Sequence, residues 1–468
     1  MKRFLVLPLF LAGLLISQAP AQERKPVSRI VFGSCAHQDK DQGFWKPILE
    51  QKPDLFLFLG DNIYGDSSDI AVLRGKYNQL GEQDGYKKLK ALCPILATWD
   101  DHDYGKNDAG AEFEVKKESQ ELFLDFFGVP KTSPRRKQEG VYHAQVFGPE
   151  GKRVQVILLD TRYHRSPLKL DARKPRNLGQ YVASDDENAT ILGEAQWKWL
   201  EEQLKVPAEV RLLCSSVQVV AEDHGFEKWM NFPRERARLY ELIRNTRAAG
   251  LIVLSGDRHL AELSSMDAEV GYQLLDLTSS GLNQGNSKFR QLEPNRHRVA
   301  TMDRGNNYGM VRIDWEREDP LLSLEIQDDD GDVIIRHKVN LSRLQPVARK
   351  PTKVVRGGTN KNENPNLAAE ARKHEGKEWK FTMTVQGAGA SKDKARIFLN
   401  SEKDFRSEKN LTIVLEMKAL QAALTEAKIK DPRKHFSGKK VEITGTVTMF
   451  RENPQVVIKQ LDQIKILD

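Results

Sequence analysis

The stretch Leu55-Phe56-Leu57-Phe58-Leu59-Gly60-Asp61-Asn62-Ile63-Tyr64 joins five apolar residues directly to a polar turn. A short, continuous apolar run bounded by glycine is typical of a strand that is buried on both faces. In α/β proteins, ligands gather beyond the carboxyl ends of parallel strands. Asp61 therefore stands where a functional site is expected, although aspartate at such a position also caps turns.

The same event, a polar cluster directly after an apolar strand, recurs along the chain. Further apolar strands are predicted at 29–32, 94–99, 154–159, 211–214 and 251–254. Polar clusters that follow such strands are Gly33-Ser34-Cys35, Asp100-Asp101-His102, Asp160-Thr161-Arg162 and Ser255-Gly256-Asp257-Arg258-His259. Helical patterns at 194–204 and 234–246 lie between strands, and this alternation predicts an α/β layered fold.

After Gly305 the sequence alternates in strand fashion at 308–315, 321–326 and 333–339. We expect these strands to complete a second sheet of the same unit. The acidic run at 328–331 lacks the full spacing of a calcium-binding loop, so a hairpin turn is the favoured interpretation.

Composition divides the rest of the chain. Residues 345–366 are rich in Pro, Lys, Gly, Thr and Asn and are interpreted as a linker between a domain at 22–344 and a module at 367–468. In that module, strands are predicted at 378–385, 395–399, 411–415, 440–449 and 455–458, and a helix at 421–428. Five short strands with one helix fit a small OB-like β-barrel.

The positive charge is concentrated in this C-terminal region. From Pro351 onward there are 23 Lys and Arg against 15 Asp and Glu, whereas the whole chain has a net charge of +7. A basic module can bind polyanions such as nucleic acid, teichoic-type polymers or acidic glycans, or an anionic surface. A solvated basic face without a ligand is the alternative.

The N-terminus has the pattern of an export signal. Lys2 and Arg3 precede an apolar run at 4–16, and the small-residue pattern Ala19-Pro20-Ala21 follows, which predicts a signal peptide at 1–21. An uncleaved anchor is the alternative, but this run is short for a bilayer span of about 20 residues. We expect an exported protein without an integral span, in the periplasm, at the cell surface or outside the cell. The chain has only three cysteines, so at least one thiol is free.

The polar clusters suit hydrolysis of phosphate esters at a pair of metal ions. Such sites hold two cations about 3.5–4 Å apart with a shared carboxylate, and the cations activate water. Asp61 is placed to bridge two ions. Tyr64, three residues later, can return as a phenolate ligand to trivalent iron, and Cys35 offers a soft thiolate to the same ion.

The remaining clusters supply the rest of such a site. Asp101 is the candidate ligand of the second metal, in preference to its neighbour Asp100. His102 would face the substrate as a general acid or transition-state stabiliser. Asp257 and His259 occupy alternate positions, so that each can bind a different ion.

Taken in order, these blocks resemble the PhoD-like alkaline phosphatases of the metallophosphoesterase superfamily. The blocks read GSC, GDNIY, WDDHDYGKND, LDTRYHR, SSVQ, KWMNFPRERARLYELI and SGDRH, and the resemblance covers about residues 30–340. It implies a four-layer α/β/β/α sandwich.

The resemblance also implies a ligand set for iron(III) and calcium, with other divalent metals as the alternative. Iron(III) would be held by Cys35, Asp61, Tyr64 and His259, and calcium by Asp61, Asp101 and Asp257. His102 would aid catalysis, and Arg162 or Asn107 would touch the phosphate. Gln218 stands where other superfamily members place a metal-binding histidine, so its role stays open.

The sequence thus predicts an exported, metal-dependent phosphoric ester hydrolase acting on small phosphate esters. One alternative is a phosphodiesterase, phospholipase or nuclease acting on phosphodiester polymers held by the basic module. An alternative of another class is a non-catalytic surface-binding protein.

Overall fold

The protein is described by a computed structural model over residues 25–174, 176–286, 293–346, 367–391, 395–403, 405, 407, 409–427, 429–450 and 453–467. The chain divides into two compact units, one ending at Pro351 and one beginning at Thr352. The predicted signal peptide and most of the predicted linker lie outside the described residues. No helix in the described part of the chain has the length and apolar character needed to cross a bilayer.

The first unit alternates strands and helices, as predicted. Its strands are β1 (Arg29–Gly33), β2 (Leu55–Leu59), β3 (Ile95–Thr98), β4 (His143–Phe147), β5 (Val154–Leu158), β6 (Lys169–Leu170), β7 (Tyr181–Val182), β8 (Val210–Ser215), β9 (Leu251–Ser255), β10 (Ala261–Met266), β11 (Leu274–Ser279), β12 (Arg298–Met302), β13 (Asn307–Asp314), β14 (Leu321–Asp328) and β15 (Val333–Asn340). Its α-helices are α1 (Trp45–Glu50), α2 (Ile70–Glu82), α3 (Asp84–Leu92), α4 (Asp101–Tyr104), α5 (Lys116–Phe126), α6 (Gly193–Lys205) and α7 (Pro233–Thr246).

Two mixed sheets form the centre of this unit. One has the order β15-β14-β13-β1-β2-β3, in which β1, β2 and β3 are parallel. The other has the order β12-β10-β11-β9-β8-β5-β4, with a parallel core of β5, β8, β9 and β11. The small ribbon β6-β7 lies outside both sheets.

Strand β2 shows how the layers are held together. Leu55, Leu57 and Leu59 belong to one hydrophobic core with residues of the second sheet, whereas Phe56 and Phe58 pack in another core with side chains of α1, α2 and α3. All five side chains are fully buried, and each contributes about 1.5–3 kcal/mol of burial free energy. Helices α6 and α7 pack into the first of these cores. The four-layer α/β/β/α sandwich is therefore confirmed.

The expectation for the strands after Gly305 was wrong in one respect. They extend the first sheet rather than completing the second, because β13 pairs antiparallel with the free edge of β1, with Ile30 opposite Val311. The predicted hairpin between β14 and β15 is present. In its turn, the Asp328 carboxylate accepts hydrogen bonds from the backbone N–H groups of Asp330 and Asp332.

The second unit is a β-rich module with short helices. Its strands are β16 (Glu378–Thr384), β17 (Gly387–Ala390), β18 (Arg396–Asn400), β19 (Thr412–Glu416), β20 (Lys440–Phe450), β21 (Asn453–Ile458) and β22 (Ile464–Leu467), and its helices are α8 (Leu367–Arg372), α9 (Met417–Glu426) and α10 (Pro432–Phe436). The strand order is β16-β20-β21-β19-β18-β17, and β22 also pairs with β20. All five predicted strands are present, whereas β17 and β22 were not predicted.

Candidate metal centre

Residues that follow strands of both sheets meet at one place. The Cys35 N–H, after β1, donates to the Gly60 carbonyl, after the neighbouring β2, at 3.3 Å. The Tyr64 phenol oxygen, also after β2, lies 3.1 Å from Nε2 of His259, which follows β9 in the other sheet. The geometry thus brings together clusters that the sequence places far apart.

The backbone at this meeting point is strained. Cys35, Asp61, Asp257 and His259 have φ angles of 62°, 51°, 69° and 53°. Each such non-glycine residue costs roughly 1–3 kcal/mol and persists only where the surrounding fold imposes it, typically at functional sites. Four of the predicted metal ligands therefore share a left-handed backbone conformation that the surrounding fold imposes.

One group of candidate ligands contains a thiol, a carboxylate, an imidazole and a phenol. Ligand atoms of Cys35, Asp61 and His259 all lie within 4.8 Å of one another. The Asp61 Oδ2 atom is 3.3 Å from the Cys35 sulfur and 3.3 Å from the Tyr64 phenol oxygen. These four residues are the set that the resemblance assigns to iron.

A second group contains Asp61, Asp101 and His102, whose ligand atoms also lie within 4.8 Å of one another. Asp61 thus belongs to both groups, as a bridging carboxylate must. Oδ1 of Asp101 is buried and has no hydrogen-bond partner among the described residues. A buried carboxylate oxygen left without a hydrogen bond is a natural position for a cation ligand.

The electrostatics of the cluster also fit a cation. Burial, followed by the charges of Cys35 and Asp101, raises the pKa of Asp61 well above its usual range. Burial likewise raises the pKa of the Cys35 thiol to about 11, and that of the Tyr64 phenol well above its ordinary value. Several acidic groups are therefore crowded in a dry site, where a bound cation stabilises their anionic forms.

His102 is held at the edge of this cluster. Its Nδ1 lies 2.7 Å from Oδ1 of Asp66, and 17% of its side chain is exposed. Burial disfavours the imidazolium, but the hydrogen bond to Asp66 and the charges of Asp61 and Asp101 outweigh it and raise the pKa of His102 to about 11. His102 is thus a partly exposed imidazole whose protonated form is favoured by the neighbouring carboxylates.

Arg162 and Asp100 lie together in a buried ion network. The Arg162 Nε donates to Asp100 at 2.6 Å, and Nη1 donates to Glu227 at 2.9 Å. The Ser216 hydroxyl also donates to Asp100, at 2.6 Å. Arg162 is completely buried, so its predicted contact with phosphate stays a prediction while its observed partners are protein carboxylates.

Two acidic residues beside Asp101 are not predicted from the sequence. Ligand atoms of Asp101, Asp108 and Glu227 lie within 4.8 Å of one another. Asp108 is the last residue of the acidic block 99–108, which also contains Asp101 and His102. Its place in that block is a sequence signal that could have marked it as a candidate ligand. Glu227 lies in a loop after β8, and no local pattern marks it.

The other predicted site residues lie outside these three groups. Asp257 contacts Arg258 at 3.3 Å, and burial raises its pKa to about 6. Asn107 is exposed on the loop after α4. The Gln218 amide donates to Glu262 at 2.7 Å and its oxygen lies 2.9 Å from Nε2 of His224, so it takes part in a buried polar network.

Comparisons with known proteins agree with this architecture. Alkaline phosphatase D of Bacillus subtilis (strain 168) is 24% identical over 288 residues, which are 52% of this chain and 48% of that protein. The chain thus spans about half the length of this curated relative. A solved structure of PhoD aligns with a TM-score of 0.52 at 18% identity, covering 68% of this chain and 69% of that one, which shows the fold.

A crystal structure of a dimetal phosphatase from Danio rerio aligns more weakly, with a TM-score of 0.43 and 12% identity over 68% of this chain and all of that one. The family model for the PhoD-like phosphatases matches residues 30–306, more than half of the sequence. The match includes the β1, β2, β3 and β9 strand ends that form the centre. The chain therefore belongs to the PhoD-like phosphatase family.

Proposed function

We propose that this protein is a metal-dependent phosphoric ester hydrolase that acts on small phosphate esters. The observation that carries the proposal is the position of Asp61, whose buried carboxylate belongs to two ligand groups at once. A shared carboxylate is what a pair of catalytic cations requires.

The donor chemistry supports a different ion in each group. Cys35, Asp61, Tyr64 and His259 would hold iron(III), because thiolate, phenolate and imidazole favour a transition metal over calcium. Asp61 and Asp101 of the second group would hold calcium, which prefers carboxylate oxygens, together with Asp257, which lies outside that group. Bound there, the two ions would polarise a phosphoryl oxygen and lower the pKa of water.

The chain's own residues supply proton transfer. Nδ1 of His102 is engaged by Asp66 at 2.7 Å, so Nε2 is the nitrogen left to pass a proton to the departing alkoxide. Asp66 lies four residues before α2 and is 47% exposed. It acts as a positioning residue that fixes the ring and favours its protonated form.

Two further assignments belong to this proposal. The signal peptide at 1–21 would export the protein to the periplasm, the cell surface or the medium. The second unit would be an OB-like barrel. Its strands β19 and β21 are parallel, its helix α9 connects β19 to β20, and only residues 385–386 separate β16 from β17, the two ends of the strand order. Barrel closure through one bent strand is consistent with this pairing.

The test combines metal content with turnover on the mature chain. We expect iron and calcium to copurify, and turnover of a chromogenic phosphate monoester to be lost on chelation and restored by both metals. Asp61→Asn should remove both metals, whereas Asp171→Asn, at an exposed ion pair with Arg173, should behave as the unaltered protein. Preference for the corresponding diester would favour the phosphodiesterase alternative. A metal-replete protein without turnover on either ester would contradict the proposal.

A further inference from the structure

The second unit carries a cavity that the proposed hydrolase activity does not use. Its volume is about 440 Å³, within the size range of small-ligand pockets. The side chains that line it include three aromatic and three polar ones, which are Phe398, Phe405, Phe450, Asn400, Thr412 and Gln455. All of these residues belong to strands β18 to β21 or to the loops between them.

The aromatic rim of this cavity is unusually open to solvent. Phe405 is 59% exposed and Phe450 is 58% exposed. Among the large aromatic side chains in the part of the chain that the structure describes, these are the ones that are mostly exposed, and both line the same cavity. Large apolar groups kept in water beside a cavity indicate a surface that binds a ligand.

The polar lining is a row across three strands. Asn400 is paired in register with Thr412, and Thr412 with Gln455, so the three side chains lie side by side on one face of the sheet. The Thr412 hydroxyl donates to the Asn400 side-chain oxygen at 2.9 Å, and the Asn400 amide N–H₂ group donates to no other residue in the part of the chain that the structure describes. The Gln455 amide makes no hydrogen bond to another described residue. Two side-chain amides therefore face a pocket rimmed by rings.

The charge of this unit favours a polyanionic ligand over a neutral one. The region from Pro351 onward has a net charge near +8, whereas the rest of the chain is close to neutral. Arg396 lies on the same face of β18 as Phe398 and Asn400, at alternate positions, and is exposed. A site for single-stranded nucleic acid combines three features. Aromatic rings stack on the bases, polar side chains hydrogen-bond to the base edges, and positive charge surrounds the site.

We propose that the second unit binds single-stranded nucleic acid, with an unpaired base in this cavity between Phe405 and Phe450. The amides of Asn400 and Gln455 would meet the edge of the base, and the basic residues would neutralise phosphates. A duplex would bind less well, because its bases are already stacked and paired. This binding is independent of hydrolysis at the metal centre.

The experiment uses the mature full chain and a fluorescein-labelled oligothymidylate 12-mer, titrated by fluorescence anisotropy. The length of the oligonucleotide is checked by gel afterwards. We expect binding that weakens as salt is raised. The double variant Phe405→Ala/Phe450→Ala should bind at least tenfold more weakly, because the base loses both stacking partners. Turnover of small esters should not change.

Two variants serve as controls. Leu170→Ala removes a side chain in the first unit that is 58% exposed, like Phe450, and should leave binding unchanged. Gly389 also lines the cavity, and Gly389→Leu should obstruct it and abolish binding without unfolding the module, because a Cβ at Gly389 meets no atom within 4 Å. Circular dichroism and the melting temperature show whether each variant is folded.

Three results would overturn the proposal. The oligonucleotide could fail to bind. It could bind with the same affinity to the double phenylalanine variant and be displaced equally well by inorganic polyphosphate, which would show a merely basic face. A neutral oligosaccharide could bind in a phenylalanine-dependent way where the oligonucleotide does not, which would assign the cavity to carbohydrate.

Discussion

The phenol oxygen of Tyr64 lies 3.1 Å from Nε2 of His259, although 195 residues separate the two along the chain. Tyr64 follows β2 in one sheet and His259 follows β9 in the other. The contact therefore exists only when both sheets are assembled. The geometry of the centre therefore depends on how the two sheets pack against each other.

This contact leads to the first prediction. Tyr64→Phe removes the phenol oxygen and keeps the ring that packs against His37 and His102. If the phenolate binds iron(III), we expect the unaltered protein to show a phenolate-to-iron(III) charge-transfer band in the visible range. The variant should lack this band and lose most of its iron while its melting temperature changes little. Absorption spectroscopy and metal analysis check this. A variant that kept both the colour and the iron would exclude Tyr64 as a ligand.

The thiol of Cys35 gives a second prediction with a matched control. All three cysteines are free and buried, but only the Cys35 sulfur lies in a candidate ligand group of the described residues. We expect Cys35→Ser to lower both the iron content and kcat by about tenfold or more. Cys93→Ser, at a buried thiol outside these groups, should retain iron. Equal iron loss in the two variants would point to misfolding instead.

Asp66 gives a third prediction, on pH dependence. Asp66→Asn removes a charge and a hydrogen bond that raise the pKa of His102, so that pKa should fall. His102 then loses its proton at a lower pH, and the alkaline limb of the kcat profile moves to lower pH. We expect kcat to fall about 10–100-fold with KM nearly unchanged, in contrast to Asp171→Asn. If the alkaline limb stayed at the same pH, Asp66 would have no influence on the protonation of His102 during catalysis.

Arg162 gives the fourth prediction. Its buried guanidinium pairs with Asp100 and Glu227, and removing one partner of a buried ion pair leaves an uncompensated charge. Arg162→Ala should therefore lower the free energy of unfolding by about 3–5 kcal/mol, measured by urea denaturation. Unchanged stability with a large increase in KM would instead place Arg162 at the substrate phosphate.

Much of the fold could be predicted because its strands carry their signal locally. The β2 run was predicted with its observed bounds. The predicted helix at 194–204 is present as α6, one residue longer at each end, and that at 234–246 as α7, which begins one residue earlier. Strands β10, β11 and β12 were not predicted. Buried polar residues, such as Glu262, Ser264 and Asp276, interrupt the apolar residues of β10 and β11. Neither strand therefore shows the continuous apolar run by which the other buried strands were predicted.

The candidate centre was predictable to a similar extent. Glycine or acidic residues after apolar strands mark Cys35, Asp61, Asp101 and His259, and the structure brings each of these into a ligand group. Glu227 could not be found in this way, since its role depends on its distance to Asp101 and Arg162. Nor could the sequence show that the Arg162 guanidinium forms ion pairs with Asp100 and Glu227.

The sequence by itself determined which segments become buried strands and which polar residues stand at their ends, because apolar periodicity and turn chemistry act over a few neighbouring residues. Only the tertiary structure decided that β13, β14 and β15 join the first sheet, and that Asp108 and Glu227 lie beside Asp101. These features arise from strand pairing and side-chain contacts between residues far apart in the chain. Such pairing is selected by complementary edges and packing in the assembled core, and no local pattern specifies the partner.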